Sequence, residues 1–287
     1  MSDAMDSSKI IDGKAVAQKV EAEVSKAVAA LKEKGIFPKL VTVLVGEDPA
    51  SQMYVRMKHK ACERVGILAS DCLLSATISE KELLDVILSL NADKTVSSIL
   101  VQLPLPKHIC AQTVMNAIDP KKDADGFHPF NMGNLLINEE GLVPCTPKGI
   151  IRLLEEYKID VQGKNAVVVG HSNVVGKPMA AMLLNRNATV SVCHIFTKDL
   201  KSYTINADIL VIGVGVKHLI QEDMVKSGVV VFDVGINQDA TGTHGDVDFA
   251  NVIHKASLIT PVPGGVGPMT IAILMTHVVQ CAKLVAL

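Results

Sequence analysis

The sequence predicts an α/β protein of two domains, one of them built on a doubly wound parallel sheet. Short apolar segments of strand length alternate with longer segments of helical periodicity, which is the pattern of parallel α/β folds. The chain has 287 residues, which is too many for one minimal domain. Its 48% hydrophobic and 20% charged residues fit a globular chain and exclude a disordered one.

The composition also restricts the partners. A net charge of -2 leaves no basic excess for nucleic acid or an anionic membrane, and aromatic residues for base stacking are only 3% of the chain. The six cysteines form no C-x-x-C pair, so we expect no metal cage and free thiols in the cytoplasm. The uncharged segment 256–282 is broken by prolines and glycines, which predicts no membrane span. A small-molecule substrate is therefore expected.

The first predicted domain opens with an amphipathic helix. Apolar residues recur at helical spacing from Asp12 to Lys34, and Gly35 and Pro38 end the pattern. The elements predicted after it are a strand at 40–45, helices at 51–65 and 80–91, and a strand at 98–101.

A second series of elements begins near Thr146 and Pro147, a capping residue and a residue suited to a first helical turn. The predicted elements are a helix at 148–157, strands at 166–169, 189–193, 208–212, 229–233 and 257–260, and a last helix at 270–287. Their alternation predicts the doubly wound sheet. The domain boundary is placed near residues 141–144.

The first turn of this second series has features of a dinucleotide-binding loop. Gly170 ends a buried strand, and backbone N–H groups at the start of the next helix would face a pyrophosphate. The spacing departs from G-x-G-x-x-G, because Ser172 takes the second glycine position and Gly176 comes one residue late. A P-loop is excluded by the spacing and by Pro178 at its Ser/Thr position. An ordinary strand–helix turn remains the alternative.

The end of the next predicted strand bears on the choice of nicotinamide cofactor. An NAD site usually has a carboxylate there to bind the ribose, but none occurs before Asp199. His171, Lys177, His194 and Lys198 leave the region neutral to positive. The sequence thus favours NADP slightly, with NAD possible.

Proton chemistry is predicted in the first domain. Tyr54 and Lys58 are four residues apart, so they project from one helix face, and a desolvated lysine can act as a base. Gln102 directly follows a buried strand, where ligands bind in α/β folds, and could hydrogen-bond Lys58. Asp123 and Asp125 lie in a turn-rich loop. Each has an alternative: Tyr54 and Lys58 as a solvated surface pair, Gln102 as a capping amide, and the two aspartates as solvated loop carboxylates.

A glycine-rich segment, Pro263 to Thr270, precedes the last helix. Such a loop brings backbone close to a partner, and a hinge between domains is the alternative.

Several segments together resemble one family, the bifunctional methylenetetrahydrofolate dehydrogenase/methenyltetrahydrofolate cyclohydrolases. They are Ser51-x-x-Tyr54-x-x-x-Lys58, Glu80–Leu105 with its end Ile99–Leu105, Asp123-x-Asp125-Gly126, Pro144–Pro147, Val234–Asn237 and Pro263–Ile271. The resemblance covers essentially the whole chain. It implies a folate-binding catalytic domain at 1–143, completed by the helix 269–287. It also implies a Rossmann-like NADP-binding domain at 144–268, with the active site in the cleft between the two.

The resemblance also implies residue roles. Lys58 is similar to the family's essential lysine, Tyr54 to the tyrosine that orients the folate, Gln102 to the lysine's partner, and Asp125 to the carboxylate that anchors the pterin. The other implied folate contacts are Leu103, Pro104, Pro263, Gly264 and Gly265. The implied NADP contacts are Gly170, His171, Ser172, Gly176, Thr197 and Ile236. No metal is implied.

The implied activity is oxidation of 5,10-methylenetetrahydrofolate by NADP, followed by hydrolysis to 10-formyltetrahydrofolate, in a cytoplasmic homodimer joined through its cofactor domains. Family members often carry arginine after the first glycine or at the end of the next strand, where this chain has His171 and Ile195. Two alternatives follow. One is an NAD-dependent dehydrogenase with weak cyclohydrolase activity, and the other is a nucleotide-binding module without chemistry.

Overall fold

Residues 7–286 are described by a computed structural model, in which they divide into two units. Residues 18–143 and 271–286 form one of them, called here the three-stranded unit. Residues 7–17 and 144–270 form the other, called the five-stranded unit.

The three-stranded unit is built on a parallel sheet with the strand order β2-β1-β3. Its elements are α1 (Gly13–Glu33), β1 (Lys39–Val45), α2 (Pro49–Val65), β2 (Leu68–Leu74), α3 (Glu80–Ala92), β3 (Ser98–Val101), α4 (Ala111–Ala117) and α5 (Pro129–Leu136). Strand β1 is apolar and almost wholly buried because it is central, with a neighbour on either side. Strand β2 lies at the edge, so its residues alternate between exposed and half-buried.

Local capping fixes the ends of helix α3. Ser79 and Glu82 form a reciprocal capping box at its start, with the Glu82 N–H donating to Ser79 Oγ at 3.2 Å. At its other end, the buried ammonium of Lys122 donates to the carbonyl oxygens of Leu90, Asn91 and Asp93 at 2.7–3.0 Å. A buried charge is thus satisfied by carbonyls that the helix leaves without partners.

The five-stranded unit contains a parallel sheet with the order β10-β7-β6-β4-β5. Its elements are α6 (Cys145–Glu156), β4 (Asn165–Val169), α7 (Gly176–Leu184), β5 (Thr189–Cys193), α8 (Leu200–Thr204), β6 (Ile209–Ile212), β7 (Val230–Asp233), β8 (Asn237–Asp239), β9 (Gly242–His244), α9 (Phe249–Lys255), β10 (Leu258–Ile259) and the start of α10 (Val266–Val285), whose residues from 271 onward belong to the three-stranded unit. The chain goes from β4 to one side for β5 and to the other side for the later strands. The predicted doubly wound parallel fold is therefore confirmed, and β4 and β6 form its switch point, where such folds bind ligands.

The N-terminal segment differs from the predicted division, because residues 7–17 belong to the five-stranded unit. Ile11 is fully buried and its N–H donates to the carbonyl of Ile259 in β10 at 2.9 Å. Ile10 forms a parallel bridge with the same residue. These contacts extend the edge of the larger sheet, which the local sequence pattern did not indicate.

Helix α10 begins at Val266, four residues before the predicted start, because Pro268 fits a first helical turn. At 20 residues it is long and apolar enough to span a membrane by length and composition alone, because the helix includes Gly267 and Pro268, two of the residues expected to break this segment. Of its most apolar window, 56% is buried inside the protein, as in the core helix of a globular domain.

Candidate active site

Helix α2 carries Tyr54 and Lys58 on one face. The helix starts where the Asp48 carboxylate accepts the Ser51 N–H at 2.8 Å and Pro49 occupies the first turn. This start fixes the rotation of the helix, and side chains four residues apart then project together. Tyr54 is 40% exposed and Lys58 is half-buried, so both reach the surface of the unit.

The Nζ group of Lys58 donates to Oε1 of Gln102 at 3.0 Å, so the contact predicted between them is present. Gln102 follows β3 directly, and its backbone N–H donates to the Val43 carbonyl of β1 at 2.9 Å. Its own Nε2 donates to the Leu103 carbonyl at 2.8 Å. Because the amide nitrogen is used in this way, the amide oxygen is turned toward the lysine.

The loop that bears Asp125 runs beside β3, because Asp123 forms a parallel bridge with Ile99. The Asp123 side chain is 2% exposed and organises the loop. Its carboxylate accepts the N–H groups of Gly126 and His128 and the Nδ2 group of Asn131 at 2.8–3.0 Å. Asp123 is thus a structural carboxylate, whose donors are supplied by the turn that it closes.

Asp125, two residues on, is partly exposed and lies in the electrostatic field of Lys58. Burial raises the pKa of the Asp125 carboxyl above its usual value; the charge of Lys58 opposes this shift and that of Asp123 adds to it. His277 in α10, a residue that the sequence analysis missed, is buried and hydrogen-bonds the carbonyl of Ala124 at 3.0 Å through Nδ1. Asp125 therefore lies between two fixed residues: His277 holds the Ala124 carbonyl, and the Asp123 carboxylate holds the Gly126 N–H.

An amine, an amide and a carboxylate thus come together at the carboxyl end of β3, with a tyrosine on the same helix face as the amine. Leu103 and Pro104 follow Gln102 directly and are joined by a cis peptide bond. Such a group can bind a polar heterocycle and move a proton. Among residues 7–286, no group of three or more His, Cys, Asp or Glu side chains is arranged to hold a metal ion.

An open depression of about 750 Å³ lies elsewhere on the same unit. It is lined by residues of β1, β2 and α2, among them Gly46, Arg56 and Asp71. Lys58, Gln102 and Asp125 are not among the residues that line it. The chemistry-bearing residues and this depression are therefore separate features of the unit.

In the five-stranded unit, the loop after β4 is shaped by glycines. Gly170 has a φ of 120°, and a Cβ there would lie 2.8 Å from the carbonyl oxygen of Gly213, which follows β6. A Cβ at Gly176 would overlap the Gly170 carbonyl. Only glycines allow this tight turn at the switch point, and α7 begins directly at Gly176. The close approach of backbone at this edge fits a dinucleotide pyrophosphate.

The other predicted cofactor residues lie in loops of the same unit. Ser172 Oγ accepts the Val175 N–H at 3.1 Å, and Thr197 Oγ1 accepts the His194 N–H at 2.8 Å. Ile236 follows β7 and is 53% exposed. His171 is exposed beside Gly170. Both hydroxyls therefore stiffen turns at strand ends.

The segment Pro263–Gly265 also belongs to the five-stranded unit, whereas Lys58, Gln102 and Asp125 belong to the other. Gly264 has a φ of 109°, and its carbonyl accepts the Lys14 N–H at 3.1 Å. A Cβ on Gly265 would lie 2.6 Å from the Pro261 carbonyl oxygen. The missing side chain of Gly265 therefore allows this tight turn, and the Gly264 carbonyl ties the turn to the start of α1.

Sequence reasoning missed a buried carboxylate at the end of β7. Asp233 is 3% exposed and accepts the N–H groups of Gly235, Asp246 and Val247 at 2.9–3.0 Å. Burial raises its pKa to about 6, although the three N–H donors act in the opposite direction. The only local signal is an aspartate at the end of an apolar strand.

A second buried carboxylate, Asp246, lies next to it along this edge. Asp246 is fully buried and accepts the N–H groups of Val214 and Gly215 at 2.7 and 3.0 Å, and Asn237 Nδ2 at 2.9 Å. The two aspartates together hold the loops that follow β6 and β7. These loops form the edge of the sheet where the glycine turn lies.

Comparison with known protein families agrees with both halves of this description. Residues 11–125 match the model described as "Tetrahydrofolate dehydrogenase/cyclohydrolase, catalytic domain". Residues 144–286 match the model described as "Tetrahydrofolate dehydrogenase/cyclohydrolase, NAD(P)-binding domain". The two matches cover most of the chain.

The chain is also similar to individual relatives over nearly its full length. The bifunctional protein FolD of Methanosarcina mazei is 67% identical over 277 residues, which is 96% of each chain. The crystal structure of the bifunctional enzyme FolD from Campylobacter jejuni is 52% identical, with a TM-score of 0.95 over 96% of this chain and 98% of that one. That of the Trypanosoma brucei enzyme, complexed with NADP cofactor and inhibitor, is 36% identical, with a TM-score of 0.91 over 96% and 97%. The chain belongs to the tetrahydrofolate dehydrogenase/cyclohydrolase family.

Proposed function

We propose that the chain catalyses two consecutive reactions on a one-carbon folate. The first is NADP-dependent oxidation of 5,10-methylenetetrahydrofolate to 5,10-methenyltetrahydrofolate, and the second is hydrolysis of that product to 10-formyltetrahydrofolate. The observation that carries the proposal is the hydrogen bond between Lys58 and Gln102, beside Asp125, within the part of the chain that matches the family's catalytic domain.

In this proposal the work is divided between two ranges of the sequence, which differ from the two structural units chiefly in where residues 7–17 are placed. Residues 1–143, completed by the helix 269–287, bind and transform the folate. Residues 144–268 bind NADP. The division is supported by the amine–amide–carboxylate group in the three-stranded unit and by the glycine turn at the switch point of the five-stranded sheet.

The folate is held by polar and apolar contacts of different kinds. Asp125 accepts N–H groups from the pterin ring, because a carboxylate offers two parallel acceptors to adjacent donors. Tyr54 orients the folate from the same helix face as Lys58. The remaining contacts, carried by the family resemblance, are Leu103, Pro104, Pro263, Gly264 and Gly265.

Hydrolysis requires a base near the one-carbon unit, and Lys58 takes that role. The oxygen of a water molecule bonds to the methenyl carbon while the water proton moves to Nζ. The remaining hydroxyl proton then passes to N5 as the carbon–oxygen double bond forms and the bond between that carbon and N5 breaks, so the formyl group stays on N10. General-base catalysis of this kind is worth roughly 10²–10⁴ in rate. Gln102 keeps the amine in place through its fixed amide oxygen.

The oxidation relies on the cofactor, because bound NADP accepts a hydride from the methylene carbon. The chain's own contribution is to bind and orient. Gly170 and Gly176 allow backbone N–H groups to approach the pyrophosphate. The other residues assigned to this site are His171, Ser172, Thr197 and Ile236.

We also propose a cytoplasmic homodimer joined through the five-stranded units. Strand β5 is an edge strand, and unpaired strand edges are ready pairing surfaces. Near it, Val192 is 40% exposed, Ile195 88% and Phe196 83%, which is apolar surface that an interface would cover. Free cysteines throughout the described chain, several of them buried, are consistent with a reducing compartment.

An absorbance time course tests the function. Methylenetetrahydrofolate with NADP should give reduced cofactor and then 10-formyltetrahydrofolate, and methenyltetrahydrofolate should be consumed without any cofactor. A clear preference for NAD with little cofactor-free consumption would favour an NAD-dependent dehydrogenase with weak cyclohydrolase activity. Turnover of neither folate would leave a nucleotide-binding module.

A further inference from the structure

The carboxylate of Asp246 joins two loops at the carboxyl edge of the five-stranded sheet. It is fully buried, and its Oδ2 accepts the N–H groups of Val214 and Gly215, which follow β6, at 2.7 and 3.0 Å. Its Oδ1 accepts Nδ2 of Asn237, in the segment after β7, at 2.9 Å. One side chain therefore supplies acceptors to loops that follow two neighbouring strands.

This carboxylate also holds the backbone on both sides of Ile236, whose side chain is 53% exposed. On one side, a Cβ at Gly235 would overlap Asp246 Cγ, so only a glycine lets the backbone lie against the carboxylate. On the other side, the Asn237 amide donates to the same carboxylate. Ile236 is thus presented at the surface by a segment that is tied to Asp246 before and after it.

The loop after β6 lies directly against the glycine turn at the switch point. The Gly213 carbonyl oxygen is the atom that a Cβ at Gly170 would approach to 2.8 Å. The next residue, Val214, is 38% exposed and its N–H is one of the donors to Asp246. Asp246 therefore fixes two exposed apolar residues, Val214 and Ile236, at the edge of the sheet where doubly wound folds bind ligands.

The position of these loops in the sheet indicates which part of a dinucleotide they face. In doubly wound folds the two halves of the sheet bind the two nucleotides, with the pyrophosphate at the first glycine turn and the adenosine ribose at the end of the next strand. Here those strands are β4 and β5. Strands β6 and β7 lie on the other side of the switch point, so their loops belong to the nicotinamide half.

We propose that Asp246 is a positioning residue for the nicotinamide nucleotide of NADP. Because its carboxylate is fully buried, it acts through Ile236, with the loop after β6 held alongside. The proposal rests on the proposed function, in particular on NADP binding by the five-stranded unit. It follows that the hydrogen bond between Asp246 and Asn237 supports binding of NADP and has no effect on a ligand that has only the adenosine half.

An exchange of donor and acceptor tests this pair. Asn237→Asp keeps the shape of the side chain but places a second carboxylate beside Asp246, and like charges at this distance repel each other. Asn237→Asp combined with Asp246→Asn restores the bond in the opposite direction. The amide introduced at position 246 can donate to the carboxylate at position 237, and its oxygen can still accept the two backbone N–H groups.

Two further variants complete the set. Asn251→Asp is the matched control, because Asn251 is exposed and its Nδ2 donates to the Asp248 carboxylate at 2.6 Å at the start of α9. It makes the same chemical change beside an aspartate that holds neither loop. Ile236→Ala removes an exposed side chain and leaves the hydrogen bonds of Asp246 intact, so it tests the positioned residue without loss of the fold.

Calorimetry measures binding of NADP and of adenosine 2′,5′-bisphosphate, which lacks the nicotinamide nucleotide, at about pH 8, well above the usual pKa of carboxyl groups. Asn237→Asp should bind NADP roughly tenfold more weakly, as expected for loss of a hydrogen bond to a charged group, and should bind the bisphosphate normally. The double variant should recover most of the NADP affinity. Ile236→Ala should weaken NADP binding alone, and Asn251→Asp should change neither affinity.

Several results would overturn the positioning role while dinucleotide binding stands. They are normal NADP binding by Asn237→Asp or by Ile236→Ala, equal weakening of both ligands by Asn237→Asp, and a double variant that binds NADP no better than Asn237→Asp alone. Failure of the proposed function gives a different result, because the unsubstituted protein would then bind neither NADP nor the bisphosphate, and the role of Asp246 would fall with it.

Discussion

The Lys58 amine and the Gln102 amide are held 3.0 Å apart, although helix α2 and the end of strand β3 contribute them separately. Gln102 has no freedom to turn its amide over, because Nε2 is bonded to the next carbonyl and its backbone N–H to β1. The lysine therefore meets a fixed oxygen. A base that must act on one carbon atom benefits from such positioning.

Replacing Lys58 by methionine should abolish most of the hydrolysis of methenyltetrahydrofolate. The loss should be roughly 10²–10⁴-fold, because the general base is removed while the apolar stem is kept. Nucleotide binding, measured by calorimetry, should persist. Lys60→Met is the matched control, since Lys60 is exposed on the same helix. Full hydrolysis by Lys58→Met would refute the role of this amine.

Gln102→Glu tests the partner of the lysine. A carboxylate 3 Å from the amine favours the charged ammonium over the neutral base. Hydrolysis at neutral pH should therefore fall, and the rising limb of its pH–rate profile should move to higher pH. Gln102→Met should lower the rate without that displacement, because it adds no charge. Identical profiles for the two variants would contradict the electrostatic role.

Asp125→Ala should weaken folate binding at both steps. The KM for methylenetetrahydrofolate and for methenyltetrahydrofolate should each rise by roughly tenfold or more, as expected for the loss of a charged hydrogen-bond acceptor. Asp85→Ala, on helix α3, provides a surface comparison. If both KM values stay at those of the unsubstituted protein, Asp125 does not anchor the pterin.

The glycine turn gives a prediction about the cofactor unit. Gly170→Ala places a Cβ 2.8 Å from the Gly213 carbonyl at a φ of 120°, so the loop must move. We expect a cost of roughly 1–3 kcal/mol in unfolding free energy and a loss of NADP affinity. Gly133→Ala, in helix α5 with open space around it, should be neutral or stabilising. Denaturant unfolding and calorimetry would measure both effects.

The sequence was sufficient for the fold because buried parallel strands such as β1 and β4 are mostly apolar and differ clearly from the polar loops around them. Strand β2 was missed, since its edge position leaves polar Ser70 and Asp71 within it. Short helices α4 and α5 and the β8–β9 hairpin were also missed, because few residues carry their pattern. Local periodicity thus identifies central elements better than peripheral ones.

The part of the site that lies at the carboxyl end of a parallel strand could be predicted from the sequence. Gln102 and Lys58 were paired in advance because one follows a parallel strand and the other lies on a neighbouring helix. Asp233, Asp246 and His277 were not identified. Their burial depends on loops distant in sequence that supply N–H or carbonyl partners, and no local spacing encodes those partners.

Asp233 gives the last prediction, on stability and pH. Its pKa is about 6 in the folded protein, above the usual value of 3.8, because burial outweighs its three N–H donors. The folded state therefore holds the proton more tightly than the unfolded state does. Protonated Asp233 therefore adds roughly 3 kcal/mol at most to the unfolding free energy. This contribution is fully present below about pH 4 and is lost as the pH rises through about 6.

Asp233→Asn cannot titrate, so its stability should lack this component of the pH dependence. The measurement is the difference in unfolding free energy between the unsubstituted protein and Asp233→Asn, taken by denaturant titration at several pH values. As the pH rises from about 4 to about 7, the unsubstituted protein should lose unfolding free energy relative to Asp233→Asn. Asp208→Asn is a useful contrast, because the hydrogen bond from Lys226 lowers the pKa of Asp208 and gives the opposite slope at lower pH. A constant difference for Asp233→Asn would mean that the Asp233 carboxyl titrates alike in the folded and unfolded chains, and burial at the end of β7 would then be balanced by its three donors.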